Sequence, residues 1–177
     1  MDNVEKLKII KNAVGTYPNF PKDGITFRDI FGIFQNVTAL RALKDLIIDH
    51  ASSLEIDVVV GLDSRGFLLG PIISLELGIP FFPIRKKGKL PGKVIQQSYT
   101  LEYGEDVFEI QTGNLSSGKK ALIVDDLLAT GGSMTGAIKL LEKTGVKVVE
   151  CLAVIELTSL NGRSKLDAPV HSLIQYD

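Results

Sequence analysis

Short runs of aliphatic residues that do not alternate with polar ones constrain this sequence most. Three of them are 57–61 (DVVVG), 120–124 (KALIV) and 146–157 (VKVVECLAVIEL). Strands without a polar face are buried on both sides, as in a parallel sheet covered by helices. A segment with helical spacing, 134–141, follows the second run. The pattern predicts an α/β fold, a mainly parallel β-sheet flanked by α-helices, with ligands at the carboxyl ends of the strands.

The rest of the chain is less regular. Helical spacing predicts helices over 4–14 and around 40–47, and short apolar runs predict strands over 80–85 and 171–176. Alternation of apolar and polar residues predicts a further strand over 107–111. Residues 16–30 carry two prolines, one glycine and three aromatic residues, which predicts an ordered loop. Residues 86–106 are polar and contain glycines, which predicts a mobile loop or a hairpin.

Length and charge restrict the class of protein. The chain has 177 residues, a formal net charge of -1 and a pI of about 6.1, which favours one domain over 1–177. A surface that binds nucleic-acid phosphates is usually strongly basic, so we expect no nucleic-acid partner. The single cysteine, Cys151, and the shortness of the apolar stretches predict a cytoplasmic protein without membrane attachment.

Residues 121–134 (ALIVDDLLATGGSM) run from an apolar strand into two carboxylates and a turn of small residues. Residues 130–133 can present backbone N–H groups at the start of a helix, where the partial positive charge favours a phosphate. Asp125 and Asp126 can accept hydrogen bonds from sugar hydroxyls or bind a hydrated Mg²⁺. The residues alone leave a second interpretation open, a capping turn with Ser133 as N-cap and two solvated acids.

The same stretch resembles the phosphoribosyl-pyrophosphate signature of the type I phosphoribosyltransferases. Five further segments resemble the adenine-specific branch of that family: FPKDGITFRDI (20–30), GLDSRGFLLGP (61–71), IRKKGKLPG (84–92), SYTLEYGED (98–106) and ELTSLNGR (156–163). The resemblance implies the type I phosphoribosyltransferase fold, with a small hood from about 16–35 plus the C-terminal strands and a mobile catalytic loop over 86–106. It also implies the reaction of adenine with 5-phospho-α-D-ribose 1-diphosphate (PRPP) to give AMP and diphosphate, a purine salvage step that uses Mg²⁺ and is carried out by a homodimer.

The resemblance also implies how the sugar phosphate is held. Asp125 and Asp126 take the ribose hydroxyls, and the loop after them takes the 5′-phosphate through Ala129, Thr130, Gly131, Gly132 and Ser133. The metal is held mainly through PRPP and water, so the resemblance assigns no metal ligand in the chain.

The other roles implied by the resemblance concern the leaving group and the base. The pyrophosphate is contacted by Arg65, Arg85 and Lys89, and a cis peptide bond is expected between Asp63 and Ser64. Glu102 exchanges a proton with the purine as the catalytic residue. The adenine lies against Thr26, Phe27, Arg28 and Leu157.

The residues leave three other functions open. Enzymes of the family that act on 6-oxopurines usually have an aspartate where this chain has Ala129, so Ala129 together with Glu102 favours adenine. A nucleotide-sensing regulator generally needs an added nucleic-acid-binding surface, for which 177 residues leave little room. A pyrophosphokinase that makes PRPP needs a site for a nucleoside triphosphate, and no further motif in the sequence indicates one.

Overall fold

The computed structural model describes residues 1–101 and 104–177, and the chain forms two compact units, Met1–Ser53 and Leu54–Asp177. None of the helices in these described ranges is long and apolar enough to cross a membrane. The residues predicted to hold the sugar phosphate and the pyrophosphate all lie in the second unit, whereas three of the four predicted adenine contacts lie in the first.

The first unit combines helices with a small sheet: α1 (Asn3–Ala13), β1 (Gly15–Pro18), β2 (Thr26–Asp29), α2 (Phe31–Gln35) and α3 (Val37–Ala51). Side chains cap both long helices, because Asp2 accepts a hydrogen bond from the backbone N–H of Glu5 and Asn36 accepts two at the start of α3. The buried residues of α3 recur at helical spacing. The helices predicted over 4–14 and around 40–47 are therefore confirmed.

The loop predicted over 16–30 is partly wrong, because β1 and β2 pair as antiparallel strands. Gly15 lies opposite Asp29, and Pro18 lies opposite Thr26. Pro18 ends its strand, where a missing N–H donor is tolerated, and Gly24 turns the chain between the strands with a φ of 84°. The prolines and the glycine interrupt the sequence pattern, and each strand has only four residues, so the pattern did not predict the two strands.

The second unit is built on a seven-stranded sheet with the order β5-β6-β4-β3-β7-β8-β9. Its strands are β3 (Val58–Leu62), β4 (Phe81–Lys86), β5 (Val94–Leu101), β6 (Gly104–Gln111), β7 (Lys120–Leu128), β8 (Lys147–Leu157) and β9 (Val170–Tyr176). Five neighbouring strands pair in parallel, in the order β4-β3-β7-β8-β9. At the β4 edge, β6 pairs antiparallel with β4, and β5 pairs antiparallel with β6. The mainly parallel sheet is confirmed.

Two helices pack on this sheet, α4 (Gly66–Leu77) and α5 (Gly132–Lys143). All five residues of β3 are buried, as its uninterrupted aliphatic run predicts. Val58 and Val60 share a core cluster with Ala137 and Leu141 of α5. Because successive side chains of a strand alternate in direction, the intervening Val59 is buried on the opposite face.

The segment 86–106 contains the hairpin that was one of its two predicted forms. β5 and β6 pair along their length, and Tyr99 stacks on Phe108 with ring centroids 4.0 Å apart. The strand predicted over 107–111 is confirmed but begins at 104. The mobility of this segment and the extent of the hood stay predictions; the C-terminal strands β8 and β9 pair within the seven-stranded sheet.

Candidate active site

A cavity of about 320 Å³ opens at the carboxyl ends of β3 and β7. Its wall is formed by residues 63–65, which connect β3 to α4, and by residues 125–134. The second stretch runs from the last four residues of β7 through the connecting loop into the first turn of α5. Because β3 and β7 are parallel neighbours, the loops that follow them lie side by side at the carboxyl edge of the sheet. This edge is where α/β sheets bind ligands.

The loop between β7 and α5 has the geometry of an anion site. Gly131 adopts a left-handed conformation with a φ of 84° and directly precedes the first turn of α5. The first backbone N–H groups of a helix have no partner within the helix and favour negative charge. Ser133 is not the N-cap, since it lies inside the helix and Gly131 occupies the cap position without a side-chain hydrogen bond. The capping interpretation of Ser133 is therefore wrong.

Asp125 and Asp126 lie in the wall of the same cavity. Asp125 Oδ1 accepts a hydrogen bond of 2.9 Å from the backbone N–H of Asp126. Arg65 Nε lies 2.9 Å from Asp126 Oδ2. That oxygen is buried, and within the described part of the chain it accepts no hydrogen bond. A buried carboxylate oxygen that has an ion pair but accepts no directed hydrogen bond is unusual in a native structure and is consistent with a functional site.

Both carboxyl groups are costly to ionise. Burial raises the pKa of Asp125 well above its usual value, and the negative charge of Asp126 raises it further. Burial also raises the pKa of Asp126, although the Arg65 guanidinium lowers it in part. Titratable groups with such opposing influences cluster at functional sites.

The three predicted pyrophosphate contacts surround the loop after β3. The peptide bond between Asp63 and Ser64 is cis, as predicted. Arg65 lines the cavity, and Arg85 Nε forms an ion pair of 2.8 Å with Asp63 Oδ2. The backbone carbonyl of Lys89 accepts a long hydrogen bond of 3.4 Å from Arg85 Nη1. The structure therefore brings Arg65, Arg85 and the Lys89 backbone together around one loop.

The predicted adenine contacts lie in different units. In β2 of the first unit, Phe27 packs edge-on against Phe20 at 5.3 Å between centroids, and Arg28 donates a hydrogen bond of 2.7 Å to Thr16 Oγ1. Thr26, in the same strand, is exposed. Leu157 is half-buried at the end of β8 in the second unit. A common purine pocket formed by these residues stays a prediction.

Glu102 lies outside the described residues. The strand that precedes it in sequence, β5, contacts residues 129–133, the predicted phosphate loop. A Cβ atom built on Gly132 would lie 2.6 Å from the carbonyl oxygen of Thr100, and one on Gly136 would lie 2.6 Å from Tyr99 Cβ. Two glycines one helical turn apart thus let β5 approach the start of α5. The sequence pattern did not predict this contact.

A second contact missed by the sequence analysis lies behind the phosphate loop. Two 3₁₀ turns, Thr158–Leu160 and Gly162–Lys165, follow β8. A Cβ atom on Gly162 would overlap the carbonyl oxygen of Ala129 and lie 2.9 Å from Gly131 N. The two backbones are therefore in direct contact. The segment ELTSLNGR contains Gly162, but a single sequence carries no signal for a neighbour more than thirty positions away.

An ion pair fastens these turns to the sheet. Arg163 donates hydrogen bonds from Nε and Nη2 to the two carboxylate oxygens of Glu156, at 3.0 and 2.5 Å. Glu156 is 4% exposed and also accepts a hydrogen bond from Ser172. The Arg163 guanidinium lowers the pKa of Glu156, with a further contribution from Ser172. Bidentate pairs of this kind fix orientation as well as distance.

The acid pair suits a hydrated magnesium ion better than a protein-built metal cage. Within the described ranges no group of three His, Cys, Asp or Glu side chains is arranged to hold a metal. The carboxylate oxygens of Asp126 and of the neighbouring Asp125 are hard oxygen donors. Mg²⁺ usually keeps several waters and binds through one or two carboxylates plus phosphates of the substrate. The donor set therefore fits this ion.

Comparison with known proteins identifies close relatives. The sequence profile of the phosphoribosyl transferase domain matches residues 32–175. The curated adenine phosphoribosyltransferase of Drosophila pseudoobscura pseudoobscura is 52% identical over 174 residues, which cover 97% of this chain and 96% of that protein.

Solved structures give the same result. The adenine phosphoribosyltransferase of Saccharomyces cerevisiae, crystallised with an imino-altritol bisphosphate and adenine, superimposes with a TM-score of 0.90 at 45% identity, over 96% of this chain and 99% of that one. The Trypanosoma brucei enzyme, in complex with AMP, pyrophosphate and ribose-5-phosphate, gives a TM-score of 0.88 at 30% identity, over 96% of this chain and 79% of that one.

Proposed function

The chain belongs to the phosphoribosyltransferase family and, within it, to the adenine phosphoribosyltransferases, and from this premise we infer how its residues act. It is a pentosyltransferase that converts adenine and PRPP to AMP and diphosphate in purine salvage. The observation that best supports the assignment of roles is the cavity at the ends of β3 and β7. Its wall contains Asp125, Asp126 and the loop before α5.

The ribose 5-phosphate unit of PRPP is held by this wall. Backbone N–H groups at the start of α5 bind the 5′-phosphate, and the left-handed Gly131 supports that role by turning the chain at the helix start. Asp125 and Asp126 accept hydrogen bonds from the ribose hydroxyls. Asp126 Oδ2 supports this assignment, because it is buried, pairs with Arg65 and yet accepts no directed hydrogen bond, which is typical of functional sites.

The reaction exchanges one bond at C1 of the sugar for another. The C1–O bond to diphosphate breaks, the leaving group keeps the electron pair, and a ring nitrogen of adenine forms the new bond to C1. Negative charge grows on the diphosphate, so Arg65, Arg85 and Lys89 stabilise the transition state. The contacts of Arg65 with Asp126 and of Arg85 with Asp63 support their presence on this side of the site.

Glu102 takes the proton that the attacking purine nitrogen loses. The packing of Thr100 against Gly132 supports this role, because the strand leading to Glu102 contacts the start of α5. The carboxylate must come within hydrogen-bond distance of the base to act. The role is rejected if Glu102→Gln leaves kcat unchanged, since a general base typically contributes about 10² to 10⁴ in rate.

Mg²⁺ is proposed as the cofactor, with Asp125 and Asp126 positioned to bind its hydration shell. When bound, the ion would supply positive charge that offsets the negative charge of the departing diphosphate. The chain's own contribution is to place the carboxyl groups of Asp125 and Asp126 in the cavity wall.

A homodimer and a cytoplasmic location are also proposed. Leu75, on α4, is 83% exposed, and α4 is apolar along most of its length, which supports a covered face in an assembly. A mass in solution of twice 19.2 kDa supports the dimer, and a single 19.2 kDa species contradicts it. The cytoplasmic location rests on the composition and on the single cysteine, Cys151, which is buried and has no second cysteine in the chain to form a disulfide with.

A steady-state assay with PRPP and four bases tests the proposed function. We expect diphosphate release with adenine, loss of that release when Mg²⁺ is chelated, and far lower rates with hypoxanthine, guanine or xanthine. Ala129→Asp is an informative companion variant, because it adds the aspartate that is usual in the 6-oxopurine enzymes. A preference of the parent protein for any of the three oxopurines contradicts the assignment.

A further inference from the structure

Glu109 is a charged side chain inside the sheet for which the proposed function has no role. It lies on β6 and is only 1% exposed. A buried carboxylate is costly unless hydrogen bonds satisfy its oxygens. The partners of Glu109 therefore indicate why the chain keeps it.

Those partners belong mainly to the basic segment that follows β4. Oε1 accepts hydrogen bonds from the backbone N–H groups of Lys89 and Leu90, at 2.9 and 2.8 Å. Oε2 accepts one of 3.2 Å from Gln96 Nε2 on β5. One buried carboxylate thus holds two consecutive amides of the turn, so that the turn has little freedom to shift.

The group is ionised in the folded protein. Burial acts to raise the pKa of Glu109, but the backbone N–H groups of Leu90, Gly88 and Lys89, together with Gln96, outweigh burial and lower it. Hydrogen bonds to the charged form have this effect. The carboxylate is therefore fixed by directed bonds and not simply by proximity to lysine side chains.

From the turn a continuous polar path leads to the cavity. The Lys89 carbonyl accepts from Arg85 Nη1, and Arg85 Nε pairs with Asp63 Oδ2 at 2.8 Å. Asp63 lines the cavity. Glu109 thus holds the turn that contains Lys89, and the Lys89 carbonyl contacts Arg85 beside the cavity wall.

We propose that Glu109 is a positioning residue that fixes the turn at 88–90 so that Arg85 and Lys89 meet the diphosphate group of PRPP. The inference rests on the proposed function. A change at Glu109 should therefore affect the binding of diphosphate groups and not the binding of adenine, because Arg85 and Lys89 are proposed to contact only the diphosphate. Loosening the turn weakens binding of PRPP and of the product diphosphate together.

Two conservative variants separate the geometry of Glu109 from its charge. Glu109→Gln keeps the side-chain length and an oxygen that can accept both amides, while Gln96 can rotate its amide to match. Glu109→Asp keeps the charge but is one methylene too short to reach the turn. We expect about a tenfold rise in KM for PRPP and in the inhibition constant of diphosphate for Glu109→Asp, and a change below threefold for Glu109→Gln.

Asp106→Asn is the matched control, because it removes a carboxylate from the same strand. Asp106 pairs with the Lys86 side chain at 2.8 Å and accepts a hydrogen bond from the backbone N–H of Val107, whereas Glu109 is the carboxylate that accepts from the amides of the turn. We expect KM for PRPP within twofold of the parent for this variant. KM for adenine should stay within twofold in all three variants, and melting temperatures establish that each is folded at the assay temperature.

The outcomes divide cleanly. The inference is overturned if Glu109→Asp behaves like the parent, if Glu109→Gln is the more impaired variant, or if KM for adenine rises as much as KM for PRPP. Isothermal titration of diphosphate gives the same comparison without turnover. A parent protein that is inactive with adenine and PRPP refutes the proposed function, whereas an active parent with unaffected variants refutes only the role of Glu109.

Discussion

Asp125 and Asp126 lie where their ionised forms are unfavourable. Burial raises the pKa of both, and the negative charge of Asp126 raises the pKa of Asp125 further. Arg65 offsets only part of this cost, through one ion pair. Such an arrangement costs stability in the free protein and is typical of a functional site.

The substitution Asp125→Asn tests this balance between stability and binding. The pKa of Asp125 is raised above the usual 3.8, so the native state binds its proton more tightly than the unfolded state. The free energy of unfolding therefore falls as pH rises from about 3.8 through the folded pKa, and at neutral pH the charge is a cost. Asparagine removes that cost, so we expect a higher melting temperature at pH 7 and a weaker decline in stability with pH.

The same variant should lose activity. A hydrogen bond to a charged group contributes roughly 1.5–3 kcal/mol, so kcat/KM for PRPP should fall by about 10- to 100-fold. Asp167→Asn, at an exposed position, is the control and should change neither quantity measurably. Thermal melts from pH 4 to 8 and initial rates check both parts. A melting temperature that drops at pH 7 contradicts the strained acid pair.

At the scale of elements, the phosphate loop depends on the 3₁₀ turns behind it. The Gly162 backbone touches the loop at Ala129 and Gly131, and the pair of Glu156 with Arg163 holds the turns to the end of β8. The loop itself has a left-handed glycine and no side-chain cap. Its position is therefore set by backbone packing between two chain segments.

Gly162→Ala should move the loop. The added methyl group overlaps the Ala129 carbonyl oxygen, and the loop must shift to make room. A misplacement of about 1 Å can cost on the order of 10²-fold in rate, so we expect kcat/KM for PRPP to fall by about 10- to 100-fold. Gly113→Ala is the matched control, because its Cβ would meet no atom within 4 Å. Equal kinetics for the two variants would falsify the dependence.

Much of the secondary structure can be predicted because local composition determines it. The uninterrupted aliphatic run of β3 predicts burial on both faces, and all five residues are buried. Prediction fails where pairing depends on distant residues or on short strands. β1 and β2 have four residues each and are interrupted by proline and glycine. The alternating run at 107–111 predicts a strand but gives no sign that Glu109 is buried.

At the scale of the molecule, the part of the site that is formed by consecutive residues can be predicted from the sequence. The acid pair and the phosphate loop occupy nine consecutive positions, so one motif predicts the cavity wall that they form. The supporting contacts join positions far apart, such as Glu109 with Lys89 and Gly162 with Ala129. A single sequence does not encode such proximity in any local pattern, and only the folded sheet brings these segments together.

A crystal structure with AMP and diphosphate tests the central claim most directly. The account predicts the 5′-phosphate within about 2.7–3.2 Å of backbone nitrogens between Ala129 and Ser133. It predicts the ribose hydroxyls on Asp125 and Asp126, with diphosphate near Arg65. A nucleotide bound elsewhere on the chain, with no phosphate at the start of α5, contradicts the account.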